Sequence, residues 1–304
     1  MIRNTPPESG KTRETHDLKT MKRTKSLKFL YGNRLGVLAL RIASSRWIAN
    51  LMGCYLNSRL SKRGIVKFIK NNGINMSEYE QVKYRSFNDF FTRRIRSECR
   101  PFDGKDGSLI SPCDAKLTAF HIKEDRLFHV KNVDYTLSEL LKNEELAREY
   151  YGGICLIFRL TVTDYHRYIF FDGGTAEKPV FIKGRLHTVQ PEAFERRKVF
   201  AENCREYTLL HTNNFGDAIQ MEVGAMFVGR ITNNGKTKFE RGEEKGYFEF
   251  GGSTVILLLK KDVAEIDGEI TSNTRELLET VVKCGERIGG TPCWRLQGKR
   301  QEQH

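Results

Sequence analysis

Hydrophobic residues follow two different rhythms along this chain, one before residue 108 and one after it. Between Leu27 and Leu60, Leu35, Val37, Leu38, Leu40, Ile42, Trp47, Ile48, Leu51 and Met52 recur at roughly helical intervals. Arg34, Arg41, Arg46 and Arg59 interrupt this region, so no stretch reaches the ~18 uninterrupted apolar residues of a membrane-spanning helix. The pattern fits an interfacial helix pair with Arg and Trp at headgroup depth, and also an amphipathic helix packed on a core. Helical character is expected over 27–95. Ser61 precedes a run from Lys62 to Lys70 that stops at Asn71-Asn72-Gly73. Ser86 or Asn88 is placed to cap a short helix through Asp89, Phe90, Phe91, Thr92 and Arg93. Arg100-Pro101 and Asp103-Gly104 then mark a turn-rich linker.

From about Ser108 the texture changes to short apolar runs between turns. Strands are expected at Leu117 to Ile122, Ile154 to Leu160, Tyr165 to Phe171, Tyr207 to Leu210, Ala218 to Arg230, Gly246 to Phe250 and Thr254 to Leu259. Gly173-Gly174 and Asn233-Asn234-Gly235 supply turn signals. Leu137 to Tyr150 and Thr274 to Val282 read as helical patches. The expected class is α+β, with a disordered basic arm over 1–26, a helical N-terminal module over 27–107 and a mostly antiparallel β core over 108–304.

Composition narrows the partners. Apolar content of 39% and charged content of 29% are those of a folded chain rather than a disordered one. A formal net charge of +13 makes nucleic acid, anionic headgroups and acidic substrates candidate partners. Basic residues are spread out and no nucleic-acid motif is present, which argues against nucleic acid. The seven cysteines show no CxxC pair, which argues against a zinc ribbon or a thioredoxin-type site, and their scatter suits a reducing compartment. The start of the chain lacks the apolar core of a secretory signal, and Glu8, Glu14 and Asp17 fit a transit peptide poorly. Met21 offers a second start.

Candidate chemistry centres on Phe250-Gly251-Gly252-Ser253-Thr254, which runs into an apolar strand. Gly251-Gly252 reads as a bulge with Ser253 capping it, or as a strained backbone that lets the Ser253 hydroxyl attack its own preceding carbonyl. Such an attack needs a base and donors for the oxyanion. Asp114 in Ser111-Pro112-Cys113-Asp114 and His166 in Asp164-Tyr165-His166-Arg167-Tyr168 are candidates, though each also reads as a turn former or a structural strand residue.

Taken together, these segments resemble the phosphatidylserine decarboxylases, in a variant seen in clostridial bacteria. The resemblance is collinear over about residues 27–290. It runs through Ser86-Phe87-Asn88-Asp89-Phe90-Phe91-Thr92-Arg93, Arg100-Pro101, Leu109 to Asp114, Asp164 to Tyr168 and Leu186-His187-Thr188-Val189-Gln190-Pro191. Asn203, Arg205, Phe215-Gly216-Asp217, Glu222 to Ala225, Glu244-Lys245-Gly246, Phe250 to Thr254 and Cys284 to Gly289 continue it.

The resemblance implies self-cleavage between Gly252 and Ser253, with Ser253 becoming a covalent pyruvoyl group that forms a Schiff base with the substrate amine and accepts the electrons left by CO₂. No metal is implied. Asp114 and Ser253 match the family's processing triad, and His166 matches the histidine of the decarboxylation step. The second histidine of the family's His-x-x-His spacing is Ile169 here, which cannot transfer a proton. Either His166 serves both steps or His187 acts as the processing base. The resemblance further implies conversion of phosphatidylserine to phosphatidylethanolamine by an enzyme peripheral on the cytoplasmic side of the cell membrane. Its basic helices would dock on anionic lipid. The two cleavage products would stay associated, and a homodimer is allowed. Two alternatives are a processing-dead lipid-binding relative and a pyruvoyl decarboxylase of a soluble amino acid.

Overall fold

Two all-apolar strands set the architecture, because a strand buried on both faces belongs in the middle of a sheet. In the computed structural model, which describes residues 12–17, 45–130, 133–188, 198–225, 230–251 and 253–292, β1 (Thr15–Asp17) comes first. α1 (Arg46–Asn57), α2 (Ile65–Asn72) and α3 (Phe87–Phe91) follow. Next come β2 (Ser108–Ile110), β3 (Ala115–His121), β4 (Arg126–Val130) and β5 (Val133–Thr136). α4 (Leu137–Leu141) and α5 (Glu144–Arg148) lead into β6 (Ile154–Leu160), β7 (Arg167–Ile169), β8 (Gly174–Ala176) and β9 (Val180–Ile182). α6 (Val199–Glu202) precedes β10 (Arg205–Thr212), β11 (Gly216–Val223), β12 (Ile231–Asn233), β13 (Lys238–Phe239) and β14 (Glu244–Phe248). Then come β15 (Ser253–Leu259), β16 (Glu265–Ile266), α7 (Gly268–Arg275), β17 (Leu278–Val282) and β18 (Arg287–Gly290).

The result is a mostly antiparallel protein. A ten-stranded sheet runs β1-β17-β3-β6-β15-β11-β10-β8-β13, with β9 also paired to β10. Every residue of β6 and β15 is buried. β15 lies between β6 and β11, in the register Ser253↔Leu160 and Thr254↔Val223. Smaller sheets, β12-β14-β7 and β16-β18-β2, pack around it, and β4 and β5 form a hairpin. β14 matters to the site because it delivers the chain to residues 249–251.

The short helices before residue 108 are held by local chemistry. The Ser86 hydroxyl accepts the Asp89 amide hydrogen at 3.2 Å and caps α3. Gly73 ends α2 at φ 60°, a left-handed stop that glycine adopts without strain. Leu56, Ile65, Phe87, Phe90 and Phe91 form a second small core, against which Met52, Phe68 and Phe250 pack. Phe250 thereby joins the helices to the sheet. Trp47, Leu51, Tyr55, Leu60 and Val66 stay exposed on α1, α2 and the turn between them. No helix among the described residues is long and apolar enough to cross a membrane.

Several expectations need correction. The patch from Thr274 to Val282 is not one helix: α7 ends at Arg275 and β17 is a strand. Its register with β3 and β1 supplies backbone partners that local propensity does not register. Within the supposed disordered arm, residues 12–17 are placed, and β1 adds to the open edge of β17. Arg13 anchors it through Asp267, Glu269 and Glu286 at 3.1, 3.2 and 2.6 Å. Helical character over 27–95 is confined to short segments, and residues 27–44 lie outside the described residues. The strand expected over 165–171 is the three-residue β7.

Candidate active site

One end of the long sheet collects the chemistry. Antiparallel neighbours alternate direction, so β3, β15 and β10 begin where β6 and β11 end. Asp114 therefore sits just before β3, the 161–166 turn follows β6, Ser253 opens β15, Gly224 follows β11 and Asn203 precedes β10.

Ser253 is fully buried, and its Oγ has no hydrogen-bond partner among the described residues. An unpaired buried hydroxyl is costly and calls for an explanation in the chemistry of its site. Two residues upstream Gly251 adopts φ 142°, a conformation that a side chain would strain. Gly252 lies outside the described residues. The Asn88 side chain accepts the Phe250 amide hydrogen at 3.1 Å and reaches Glu249 at 3.4 Å. The Phe250 ring meets Phe68, Phe87 and Phe91 at 6.3, 5.2 and 5.1 Å between centroids. The residues leading to the candidate cleavage bond are thus gripped by α2 and α3.

His166 is fully buried. Its Nδ1 lies 2.9 Å from the Asp164 carbonyl oxygen, which can only accept, so Nδ1 carries the hydrogen and Nε2 presents its lone pair. Nε2 makes no hydrogen bond of good geometry among the described residues, although the Gly251 backbone lies close enough to act on it, and the Phe91 ring covers the imidazole at 4.3 Å. Burial pushes the pKa of His166 down to about 4; the Asp164 carbonyl and charge and the Gly251 backbone raise it, and the Arg93 charge lowers it. The imidazole is therefore neutral at pH 7, a proton acceptor beside Gly251. Burial alone would raise the pKa of Asp164, but Lys116 at 2.7 Å and the Thr161 amide and hydroxyl outweigh it and hold the carboxyl ionised. The 161–166 turn is fixed in this way.

Asp114 is buried but faces elsewhere. Arg100 donates to it from Nε at 2.9 Å and from Nη2 at 2.7 Å, and the Cys284 amide donates at 2.8 Å. No hydrogen bond joins Asp114 to His166, or either of them to the Ser253 hydroxyl. Ile169 lies in β7, its amide donating to Pro112, two residues from Asp114. His187 is clamped by Asn203, which accepts its amide hydrogen and donates to its carbonyl, both at 2.8 Å. The same Asn203 amide donates to the Gly224 carbonyl at 2.8 Å. His187 Nε2 lies 3.3 Å from Glu202. The fold thus gathers Asp114, His166, His187 and Ser253 at one end of the sheet without linking them into an Asp–His–Ser relay. Along the chain Arg100, Asp164 and Asn88 stand in turns and a helix start, with nothing local to mark them as positioning groups. Only the spacing of Asp164 two residues before His166 carried a signal.

Comparison with known proteins decides the family. The phosphatidylserine decarboxylase profile matches residues 87–290. The chain is 48% identical to phosphatidylserine decarboxylase proenzyme 2 of Clostridium acetobutylicum over 266 residues, 87% of this chain and 91% of the relative. It is 42% identical to the phosphatidylserine decarboxylase proenzyme of Clostridium botulinum over 281 residues, covering 90% and 95% of the two chains. Identity to the proenzyme of that name from Ruminiclostridium cellulolyticum is 40%, covering 90% and 94%. The chain belongs to the phosphatidylserine decarboxylase family. The family match opens at Phe87, the first residue of α3, and closes at Gly290, the last of β18. In phosphatidylserine decarboxylase terms, α3 therefore belongs with the β core, and its rings touch both His166 and the chain before Ser253.

Proposed function

We propose that this chain is a proenzyme that cleaves itself before Ser253 and then converts phosphatidylserine to phosphatidylethanolamine and CO₂. One observation carries the reading: a fully buried serine hydroxyl with no partner opens β15, directly after a glycine pair and near a neutral buried histidine. Orphaned Oγ is the atom that self-cleavage would consume, so the residues present fit a prosthetic group made in place.

Ser253 Oγ attacks the Gly252 carbonyl, and a base takes the hydroxyl proton. The amide becomes an ester, and loss of the Ser253 α-hydrogen eliminates the Gly252 carboxylate. Hydrolysis of the resulting dehydroalanine end releases ammonia and leaves a pyruvoyl terminus. That group supplies an electrophilic carbonyl that binds the substrate amine and takes up the electron pair released with CO₂. His166 is the proton-transfer group of decarboxylation, with its tautomer held by the Asp164 carbonyl. His166 and His187 are the two candidates for the processing base. Asp114 holds Arg100 and the Cys284 amide, and so ties the C-terminal strands to the site. β15 stays hydrogen-bonded between β6 and β11, which supports lasting association of the two cleaved chains.

The exposed apolar residues of α1, α2 and the turn between them alternate with Arg59, Lys62, Arg63, Lys67 and Lys70. This combination supports peripheral docking on an anionic bilayer on the cytoplasmic side, each basic residue adding ~1 kcal/mol of attraction. Intact-mass analysis should find two chains, the smaller beginning with a pyruvoyl group at 253, and vesicles of phosphatidylserine should release CO₂. A single chain of 35.1 kDa with an ordinary serine at 253, in active material, overturns the reading.

A further inference from the structure

Two residues beyond Phe91, whose ring covers His166, lies a buried guanidinium that no carboxylate among the described residues neutralises. Arg93 is 2% exposed, and among the described residues no carboxylate pairs with it. Its Nη1 donates to the Phe90 and Phe91 carbonyls at a long 3.4 Å, its Nη2 donates to the Tyr79 hydroxyl at 3.2 Å, and its Nε has no partner. Arg205 provides the contrast. It too pairs with no carboxylate among the described residues, but bonds of 2.7–2.9 Å to the carbonyls of Leu140, Ala201, Asn203 and Glu139 saturate it. A buried cation with poor hydrogen bonds is costly, and stacking offsets only part of that cost.

The way Arg93 is held leaves one edge open. Tyr79 and Phe90 cover it at 4.2 and 4.8 Å from Cζ to ring centroid, which uses its faces. The unpartnered Nε–H lies on the same edge of the guanidinium as Nη2, the fork that grips two oxygens of a phosphate. The Tyr84 hydroxyl is also buried without a partner, and its ring meets Phe90 edge-on at 5.4 Å. Tyr84 and Arg93 thus pack on the same Phe90 ring, and the pKa of Tyr84, raised by burial, is lowered by the Arg93 charge. Phe91, two residues before Arg93, packs on His166 at 4.3 Å, so the pair borders the reacting end of the site.

We infer that Arg93, aided by the Tyr84 hydroxyl, binds the phosphodiester oxygens of the substrate headgroup. This inference rests on the phospholipid reading above. The serine carboxylate is a poor candidate for this cation, because a clamp on a group that must leave as CO₂ favours the ground state. The phosphodiester keeps its charge throughout, so a cation there contributes uniform binding that appears in KM.

The test uses matured protein, with cleavage confirmed on a denaturing gel for each variant. Arg93→Lys keeps the charge and loses the fork. It should raise KM for phosphatidylserine in mixed micelles by about 10-fold with kcat within about 3-fold, and Tyr84→Phe should raise KM by about 3-fold. A purely structural cap on α3 would instead lower stability and leave KM alone, and that result overturns the inference. If Arg93→Lys fails to mature, Tyr84→Phe, which removes one oxygen from an unchanged ring, decides the matter by its KM. Calorimetry adds a readout independent of turnover. Wild type should bind glycerophosphoethanolamine, and Arg93→Lys, or Tyr84→Phe where that variant stands in, should bind it more weakly. Ethanolamine binding as tightly as the diester overturns the site, and inorganic phosphate binding as tightly overturns the headgroup assignment in favour of free phosphate. Wild type that binds the diester but releases no CO₂ from phosphatidylserine sinks the proposed activity and leaves the Arg93 site standing.

Discussion

His166 and His187 occupy the same end of the sheet in opposite surroundings. His166 lies under the Phe91 ring, is held by a backbone carbonyl at Nδ1 and has an unbonded Nε2, with burial favouring its neutral form. His187 is fixed through its own backbone by Asn203 and has the Glu202 carboxylate 3.3 Å from its ring. Two histidines of equal burial are thus prepared for different work. An apolar lid with one backbone acceptor makes a neutral proton acceptor, whereas a backbone clamp with a carboxylate makes a precisely placed, partnered ring.

The largest expected effect removes the group both histidines could serve. Ser253→Ala should abolish cleavage and reduce CO₂ release to background, read as one unbroken chain by intact mass. Persistent cleavage in this variant would mean that another residue is the nucleophile.

His166→Gln should lower decarboxylation by roughly 10²–10⁴-fold, the usual span for a lost general acid or base. His187→Gln should leave decarboxylation of the matured fraction within about 10-fold if its work is confined to processing. Separate gels for cleavage and assays for CO₂ would expose an exchange of roles between the two.

The depressed pKa of His166 also sets a pH dependence. The folded value lies near 4, below the unfolded value near 6.5, so the unfolded chain binds the extra proton between them. The contribution to stability is present above pH 6.5 and is lost as pH falls toward 4. A full loss is on the order of 3 kcal/mol. Urea midpoints across that window should fall in wild type and fall less steeply in His166→Gln. Equal slopes would show that His166 is not the titrating group.

Asn203→Ala should cost about 1–3 kcal/mol, because it strips partners from the His187 amide, the His187 carbonyl and the Gly224 carbonyl. Cleavage should slow more than decarboxylation. Slowing of both steps equally would make Asn203 a general support of the sheet end and not a holder of His187.

Much of the architecture was legible because it depends on local pattern. The apolar runs at Ile154–Leu160 and Ser253–Leu259 are the buried central strands, and Ser86 and Gly73 cap and stop helices as their side chains or lack of one require. Leu278–Val282 reads as helical along the chain because its strand state depends on β3 and β1 lying alongside. β1 escaped notice for the same reason, since three residues gain their hydrogen bonds only from an edge formed by distant chain.

For the site, the residue types and their order were contained in the sequence: a serine behind two glycines, an aspartate before a strand, and histidines at 166 and 187 with isoleucine at 169. Partnership was not. Only tertiary packing turns Asp114 toward Arg100 and Cys284, sets Asp164 and Phe91 around His166, and leaves Arg93 buried without a counter-charge among the described residues. Periodicity and capping act over a few residues and can be read along the chain, whereas burial and charge pairing depend on segments that folding brings together from afar.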